Sequence, residues 1–524
     1  MVHDGSTDGA ERALRADELL DPAAYPHPVA HVEVLQTNTS LIALTGEYAY
    51  KIKKPVSFAF LDASTLSHRR FLCEEELRLN VRLAPELYLD VLPIVRTASG
   101  LRVGGSGETL EYAVRMRQFD RSQELAALLG LGEAGAAEIA ALALAIARFH
   151  ASAPRRVDAA GFAGTEGMRA AVLGTIATLL AHADHGIDAP GLGALIDWTH
   201  DALRRSMPRF REREAGGFIR ECHGDLHSRN IVRWRGRLTP FDCLEFDAAL
   251  RWIDVMSDVA FLVMDLHGRN RTDLAAIFLS EYLTQTGDYG GIALLPFYAV
   301  HRALVRAMVD ALAAEAEPGR RANADSRAAA RVLAADGFMR PPKPILIAMH
   351  GPSGSGKSWL SERLVGPVGA VRIRSDVERH RLYGASADRH AGRADARTYA
   401  RLRECATACL EGSMPTIIDA TCLRRADRDR LRDLAASMRV PLLFLSCTAE
   451  HATLARRVGQ RRLEGADASD ANLRVLVAQL AGMEPFATEE RAQLVEISTS
   501  DPQALAKALA AVSSRRSLEQ APAR

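Results

Sequence analysis

Residues 345–358 read ILIAMHGPSGSGKS, and this stretch decides the architecture of the last third of the chain. Five apolar residues, Ile345–Met349, predict a buried strand that runs directly into a turn. Gly351, Gly354 and Gly356, with Pro352, Ser353 and Ser355 between them, let the backbone N–H groups of the loop close around an anion. The helix that begins next adds its positive end to the same place. Lys357 is then in reach of the outer phosphates of a nucleotide, and the Ser358 hydroxyl is in reach of their metal ion. Outward from this loop, apolar runs at Val371–Ile373, Thr416–Ile418, Pro441–Ser446 and Leu494–Ile497 alternate with helical segments. That alternation predicts an α/β domain over residues 344–513 with a parallel five-stranded sheet covered on both faces.

Composition narrows the rest. A chain of 524 residues suggests roughly three units at about 150 residues each. With 48% hydrophobic and 25% charged residues it is ordinary globular material, which excludes a disordered or collagen-like chain. Lys+Arg 66 against Asp+Glu 65 gives +1, so no global charge draws it to nucleic acid or to a membrane surface. The longest apolar stretch, near Ile139–Ala147, falls short of the roughly 18 residues of a membrane span, so no membrane partner is expected. The start, MVHDGSTDGAERALRADELL, lacks the basic and apolar regions of a secretory signal. Seven scattered cysteines read as reduced thiols, and a cytoplasmic location follows. Only six of the basic residues are lysine: Lys51, Lys53, Lys54, Lys343, Lys357 and Lys507. Where arginine has displaced lysine elsewhere, the survivors mark places that need a compact ammonium.

The first part of the chain has a different character. After a loose segment, residues 1–25, short β-rich runs (VAHVEVLQ, SLIALTG, EYAYKIK) are followed by a helix over Leu66–Arg82 and strands at Asp90–Arg96 and Leu110–Arg117. This is a small lobe over residues 26–120. Residues 121–336 read as mainly helical, interrupted at Phe218–Phe246 by short strands and tight loops. The polar seam around Glu315–Pro344 holds a linker, 337–343, which predicts two halves that act independently. The tail, 514–524, is expected to be disordered.

The interruption carries chemistry. His223-Gly-Asp225-Leu-His-Ser-Arg-Asn230 has the H-x-D-x4-N spacing of a kinase catalytic loop. Asp225 is suited to take the proton of an attacking hydroxyl, and Asn230 to turn an oxygen toward Mg²⁺. Twelve residues on, Asp242 ends a short strand as a second metal ligand. Upstream, Lys51 lies in a strand, and one of Glu74, Glu75 and Glu76 on the following helix can pair with it, Glu76 being preferred. Residues 29–336 thus resemble the aminoglycoside phosphotransferase family, relatives of protein kinases that phosphorylate small-molecule hydroxyls. The resemblance rests on HGDLHxxN, on FDCLEFD, and on Asp254 and Asp258 in IDVMSDVA. It implies an α+β two-lobed protein-kinase-like domain in which the strand Leu110–Phe119 leads to the adenine, with backbone near Met116–Gln118 meeting the base. No G-x-G-x-x-G precedes Lys51; Thr37-Asn-Thr-Ser40 stands there instead.

Around the glycine-rich loop, Arg374-Ser-Asp376 ends the second strand, where Asp376 can accept a proton from a substrate hydroxyl. Thr416-Ile-Ile-Asp419 ends the third, where Asp419 can hold the metal through water. Arg456, Arg457, Arg461 and Arg462 follow on one helix; Arg457 and Arg461 are candidate nucleotide contacts. This region resembles the P-loop kinases grouped with polynucleotide kinase, zeta toxin and gluconate or shikimate kinases. It implies ATP and Mg²⁺ as cofactors. Together the two halves read as a bifunctional phosphotransferase acting on small-molecule hydroxyls, with one half as a regulatory nucleotide sensor as the alternative. Action on nucleic-acid ends is disfavoured by the neutral charge and the lack of interleaved aromatics, although Arg372–Arg381 is locally basic.

Overall fold

The structure is a computed structural model that describes residues 14–58, 61–98, 100–155, 164–181, 189–316, 321–384, 392–464 and 473–518. Its contacts divide it into two compact units, and neither is one continuous stretch of chain. The first comprises Met1–Ala134, Ser152–Met168 and Arg211–Asp258; the second comprises Gly135–Ala151, Arg169–Phe210 and Val259–Arg524.

The first unit has the two-lobed, protein-kinase-like plan. Strands β1 (Glu33–Gln36), β2 (Ser40–Leu44) and β3 (Tyr48–Lys53) precede a minimal hairpin of β4 (Ser57–Phe58) and β5 (Leu61–Asp62). The helix Leu66–Asn80 follows, capped by the Thr65 hydroxyl, which accepts from His68 N at 3.2 Å. Strands β6 (Tyr88–Thr97), β7 (Gly100–Val103) and β8 (Glu108–Arg117) complete an antiparallel sheet in the order β1-β2-β3-β8-β6-β7. Strand β7 was not expected from the sequence; its four residues begin at Gly100, are followed by Gly104, and pair with the end of β6. The expected loose segment is corrected over its described part, residues 14–25. Leu19, Ala24 and Tyr25 are buried in the same apolar core as Tyr50 and Ile52, and Tyr25 Oη donates to Leu19 O at 2.7 Å. Residues 1–13 lie outside the described residues.

The second lobe of this unit carries the segment His223–Asn230. β9 (Ile219–Glu221) pairs antiparallel with β12 (Trp252–Asp254), and β10 (Ile231–Trp234) forms a hairpin with β11 (Arg237–Pro240). These are the short strands and tight loops expected over Phe218–Phe246.

The second unit contains the predicted parallel sheet. β13 (Leu346–His350), β14 (Val371–Arg374), β15 (Thr416–Asp419), β16 (Leu442–Thr448) and β17 (Leu494–Ser498) are ordered β14-β15-β13-β16-β17, every neighbouring pair parallel. One face is covered by the helices Lys357–Val368 and Ala504–Leu518. The latter runs through residues expected to form a disordered tail: Val512 is core, and Arg516 Nη2 donates to Val368 O at 3.2 Å. The final residues, 519–524, lie outside the described residues.

Two findings correct the expected separation at 337–343. The helix Arg321–Met339 enters that stretch and packs along Leu295–Ala316. More important, Ala276 and Ile277 of the helix Thr272–Thr286 belong to the same apolar core as Ile345, Ile347 and Leu360. The α/β fold is thus completed by a helix that precedes it by about 70 residues. The segment Tyr289–Leu312 is long and apolar enough to cross a membrane by composition, with mean hydropathy 1.4, and 67% of it is buried inside the fold.

Buried imidazoles make this unit acid-sensitive. Burial pushes His301 down to about 3, with Arg302 adding to the effect, and burial pushes His350 down to about 4. Both stay neutral in the fold while the unfolded chain takes up a proton near pH 6.5. Stability is therefore expected to fall as pH drops from about 6.5 toward 4. Thermal unfolding of wild type and His301→Leu across that window checks this; equal pH slopes would count against it.

Candidate active sites

In the first unit the small-lobe helix resolves the choice among three glutamates. Glu74 pairs with Arg70 at 2.8 Å on the surface, and Glu75 with Arg78 and Arg251 at 2.8 and 3.1 Å. Glu76, fully buried, turns to the sheet and meets Lys51 Nζ at 2.8 Å. Lys51 also reaches Asp242 Oδ1 at 2.5 Å, so one ammonium joins the helix, its own strand and the loop two residues beyond β11. Burial alone would lower the Lys51 pKa, but Asp242 and Glu76 outweigh it and raise it well above the usual lysine range. In return, burial pushes the Asp242 carboxyl up, and the nearby Lys51 charge brings it below the usual carboxylate range. Asp242 sits at φ 63°, a left-handed conformation that a non-glycine residue adopts at a cost.

Lys53 was not assigned a role from the sequence. It meets Glu76 Oε2 at 2.5 Å and also pairs with Glu245, deep in the same site. The signal was present: residues two apart on a strand face the same way, so Lys53 had to share a side with Lys51.

The loop His223–Asn230 is tied to its surroundings by polar contacts. His223 and Gly224 donate their backbone N–H groups to Asp258 at 3.0 Å each. Asp254 is clasped by Arg213 at 2.6 and 2.8 Å. Asp258 therefore braces the loop from behind, while Asp254 ties Arg213 to the start of the following helix. His223, held neutral by burial, donates from Nε2 to Phe241 O at 2.9 Å and accepts from Asp225 N at Nδ1. Asn230 Nδ2 donates to Asp225 Oδ2 at 2.9 Å, which directs its amide oxygen elsewhere. His227 Nδ1 accepts from Arg229 N, so its Nε2 is the protonated nitrogen and faces Asp225 Oδ2 at 3.3 Å. Asp225, Asn230 and Asp242 thus stand around one site with Lys51. Ionised Asp242 and the Asn230 oxygen are hard oxygen donors of the kind Mg²⁺ takes.

Met116 sits differently from the expectation. Its backbone is inside β8, opposite Ala49 and Tyr88, while the next two amides are used by Leu87 O and Glu47 O. What Met116 contributes is an apolar side chain in a cluster with Ala49 and Val232, lined further by Phe119 and Phe241.

In the second unit the glycine-rich loop joins β13 to the helix Lys357–Val368. Gly351 has φ +131°, and a Cβ there would lie 2.6 Å from Cys447 O. Backbone cannot yield as a side chain does, so Gly351→Ala is expected to destabilise by about 2–4 kcal/mol. Chemical denaturation measures this, and a loss under about 0.5 kcal/mol would refute it. Lys357 Nζ donates to Pro352 O at 2.8 Å. Asp419 Oδ2 accepts from Ser361 Oγ at 3.0 Å, at the end of β15. Ser358 and Asp419 again supply oxygen donors fit for Mg²⁺. Asp376, at the end of β14, is held by Arg374 Nη2 and by Val377 N, both at 2.9 Å.

Of the two lid arginines, Arg457 reaches Gly354 O at 3.2 Å and Thr499 Oγ1 at 2.9 Å, so it ties its helix to the loop. The Arg461 side chain lies outside the described residues. Gln479, missed in the sequence, accepts the Ser353 N–H at 2.8 Å and so occupies one of the loop's anion-binding donors. Nothing local to Gln479 signals this, because the contact spans 126 residues.

A family described as AAA domain matches residues 346–486. The uncharacterized proteins Mb2027c of Mycobacterium bovis and MT2060 of Mycobacterium tuberculosis are each 30% identical over 478 residues, 88% of this chain and 93% of theirs. Among solved structures, a gluconokinase from Sinorhizobium meliloti is 21% identical, with 35% of this chain and 99% of that one covered, at a TM-score of 0.27. A choline/ethanolamine kinase family protein from Mesorhizobium loti is 15% identical, with 62% and 94% covered, at a TM-score of 0.38.

Proposed function

Because the chain belongs to the same family as these mycobacterial proteins, matched over nearly their whole length, we propose that the two-site plan is a single working enzyme. It is a bifunctional ATP-dependent phosphotransferase, each half moving the γ-phosphate of ATP to a small-molecule hydroxyl. The observation that carries the reading is Lys51 bridging Glu76 and Asp242 beside the Asp225–Asn230 pair. A lysine with its glutamate, a carboxylate and two oxygen donors are the polar groups that phosphoryl transfer asks of a kinase-like site, and they support the reading.

In the first site Lys51 holds the phosphates and Glu76 holds Lys51. Asp225 takes the proton of the acceptor hydroxyl as its oxygen bonds to the γ-phosphorus, and the bond to the bridging oxygen breaks to release ADP. Ala49, Met116 and Phe119 offer an apolar slot to the base. In the second, backbone amides of Gly351–Ser358 and Lys357 hold the phosphates while Asp376 engages the acceptor. Magnesium, when bound, neutralises charge on the phosphate oxygens; Asn230 and Asp242 in one site, and Ser358 and Asp419 in the other, would hold it. The net charge of +1 favours small acceptors over nucleic acid, and seven free, buried cysteines suit the cytoplasm.

The test is labelled ATP supplied to the whole chain with an aqueous metabolite extract. Two products are expected, one absent from Asp225→Asn and the other from Lys357→Ala. A single product lost in both variants would replace two catalysts by one catalyst with a nucleotide sensor.

A further inference from the structure

Resting on the reading of the glycine-rich loop as a kinase site, we propose that the C-terminal corner of the helix Thr272–Thr286 belongs to the acceptor side of that site. It fixes the helix Ser375–Tyr383, and Asp376 with it, through the positioning residues Arg381, Glu378 and Arg401.

The corner presents backbone oxygens. Gly287, at φ +72°, ends the helix and leaves its last carbonyls pointing outward, where a helix is negative. Arg381 Nη2 donates to Thr284 O at 2.7 Å, and Arg401 Nη2 to Gly287 O at 3.3 Å. Glu378 lies between these two arginines, fully buried: it pairs with Arg381, and its Oε2 accepts from Arg401 Nε at 3.2 Å. A Cβ on Gly287 would approach Arg381 Nε to 2.7 Å, so the corner and the guanidinium are in close contact.

The strand leading into Asp376 is held by the same helix. Arg372 N, on β14, donates to Ser280 Oγ at 3.0 Å. β14 lies at the end of the sheet, with β15 on one side. On its open edge the partner is thus a side chain of the earlier helix. Glu378 is two residues beyond Asp376 on one short helix, so a rotation of that helix moves both. Among the described residues, the hydrogen bonds of Arg381 and Arg401 go to Glu378, Glu404 and the corner at Thr284–Gly287, not to Gly351–Ser358. Their influence therefore falls on the acceptor carboxylate and not on nucleotide binding.

The experiment uses the full chain in an Asp242→Ala background, which silences the first site. Glu378→Gln and the milder, more exposed Arg401→Gln are compared with that parent. Three readouts are taken: ATP affinity, label transfer from ATP in a metabolite extract, and amide hydrogen exchange over 375–383 against 357–368. Expected are faster exchange confined to 375–383, by about tenfold, with ATP affinity within about twofold. Label transfer should fall by up to about 10²-fold, as a small misplacement of a reacting group does. Unchanged exchange at 375–383 would overturn the anchoring. Faster exchange with undiminished transfer would overturn the positioning role. A parent that transfers no more label than its Lys357→Ala counterpart would instead overturn the kinase reading itself, while the exchange still reports on the anchor.

Discussion

Asp225→Asn is expected to abolish transfer by the first site, by about 10³-fold or more, while leaving fold and ATP binding near wild type. The substitution keeps size and hydrogen bonding but cannot receive a proton, so the acceptor hydroxyl loses its base. The amide still meets Asn230 and His227, which stand at 2.9 and 3.3 Å from the carboxylate. Lys51, Glu76 and Asp242 are not disturbed, so nucleotide affinity is the internal control. Single-turnover transfer and ATP titration together check it. Full transfer by this variant would dismiss Asp225 as the base.

Lys357→Ala is expected to have a comparable effect at the second site, on the order of 10²–10³-fold in turnover with weakened ATP binding. Its ammonium now rests on Pro352 O at 2.8 Å, inside the loop. Alanine leaves the backbone donors in place but removes the one mobile charge that can follow the transferring phosphate. First-site activity in the same variant should stay near wild type. Kinetics of both products in both variants decide this, and a several-fold cross-effect with the fold intact would show coupled sites.

The sequence made local chemistry legible and long-range packing illegible. The loop Gly351–Ser358 and the run His223–Asn230 could be read because their function lies in consecutive residues. The five parallel strands could be read because each is a short apolar run. Glu76 could be preferred but not chosen, since three adjacent glutamates differ only in which way the helix turns them. Lys53 was readable from strand alternation and was overlooked. Met116 was given a backbone role by the resemblance alone; the end of the strand at Arg117 was legible, but not which partners its amides take. The role of Thr272–Thr286 had no local trace: its Ala276 and Ile277 look like any buried helix face until the sheet they cover is known. The polar stretch around Glu315–Pro344 suggested separation for the same reason, because composition reports solvent exposure and not which helix packs on which.

The interleaving of the two units along the chain has a consequence for synthesis. The ribosome finishes every part of the first unit once Asp258 has emerged. By then it has also released Gly135–Ala151 and Arg169–Phe210, whose companions are still unmade. Ile139, Leu142 and Ile146, fully enclosed in the finished protein, must spend on the order of tens of seconds without their cover. A nascent chain that pauses before its last third therefore displays a finished lobe beside sticky, orphaned helices, which is the kind of surface a chaperone engages.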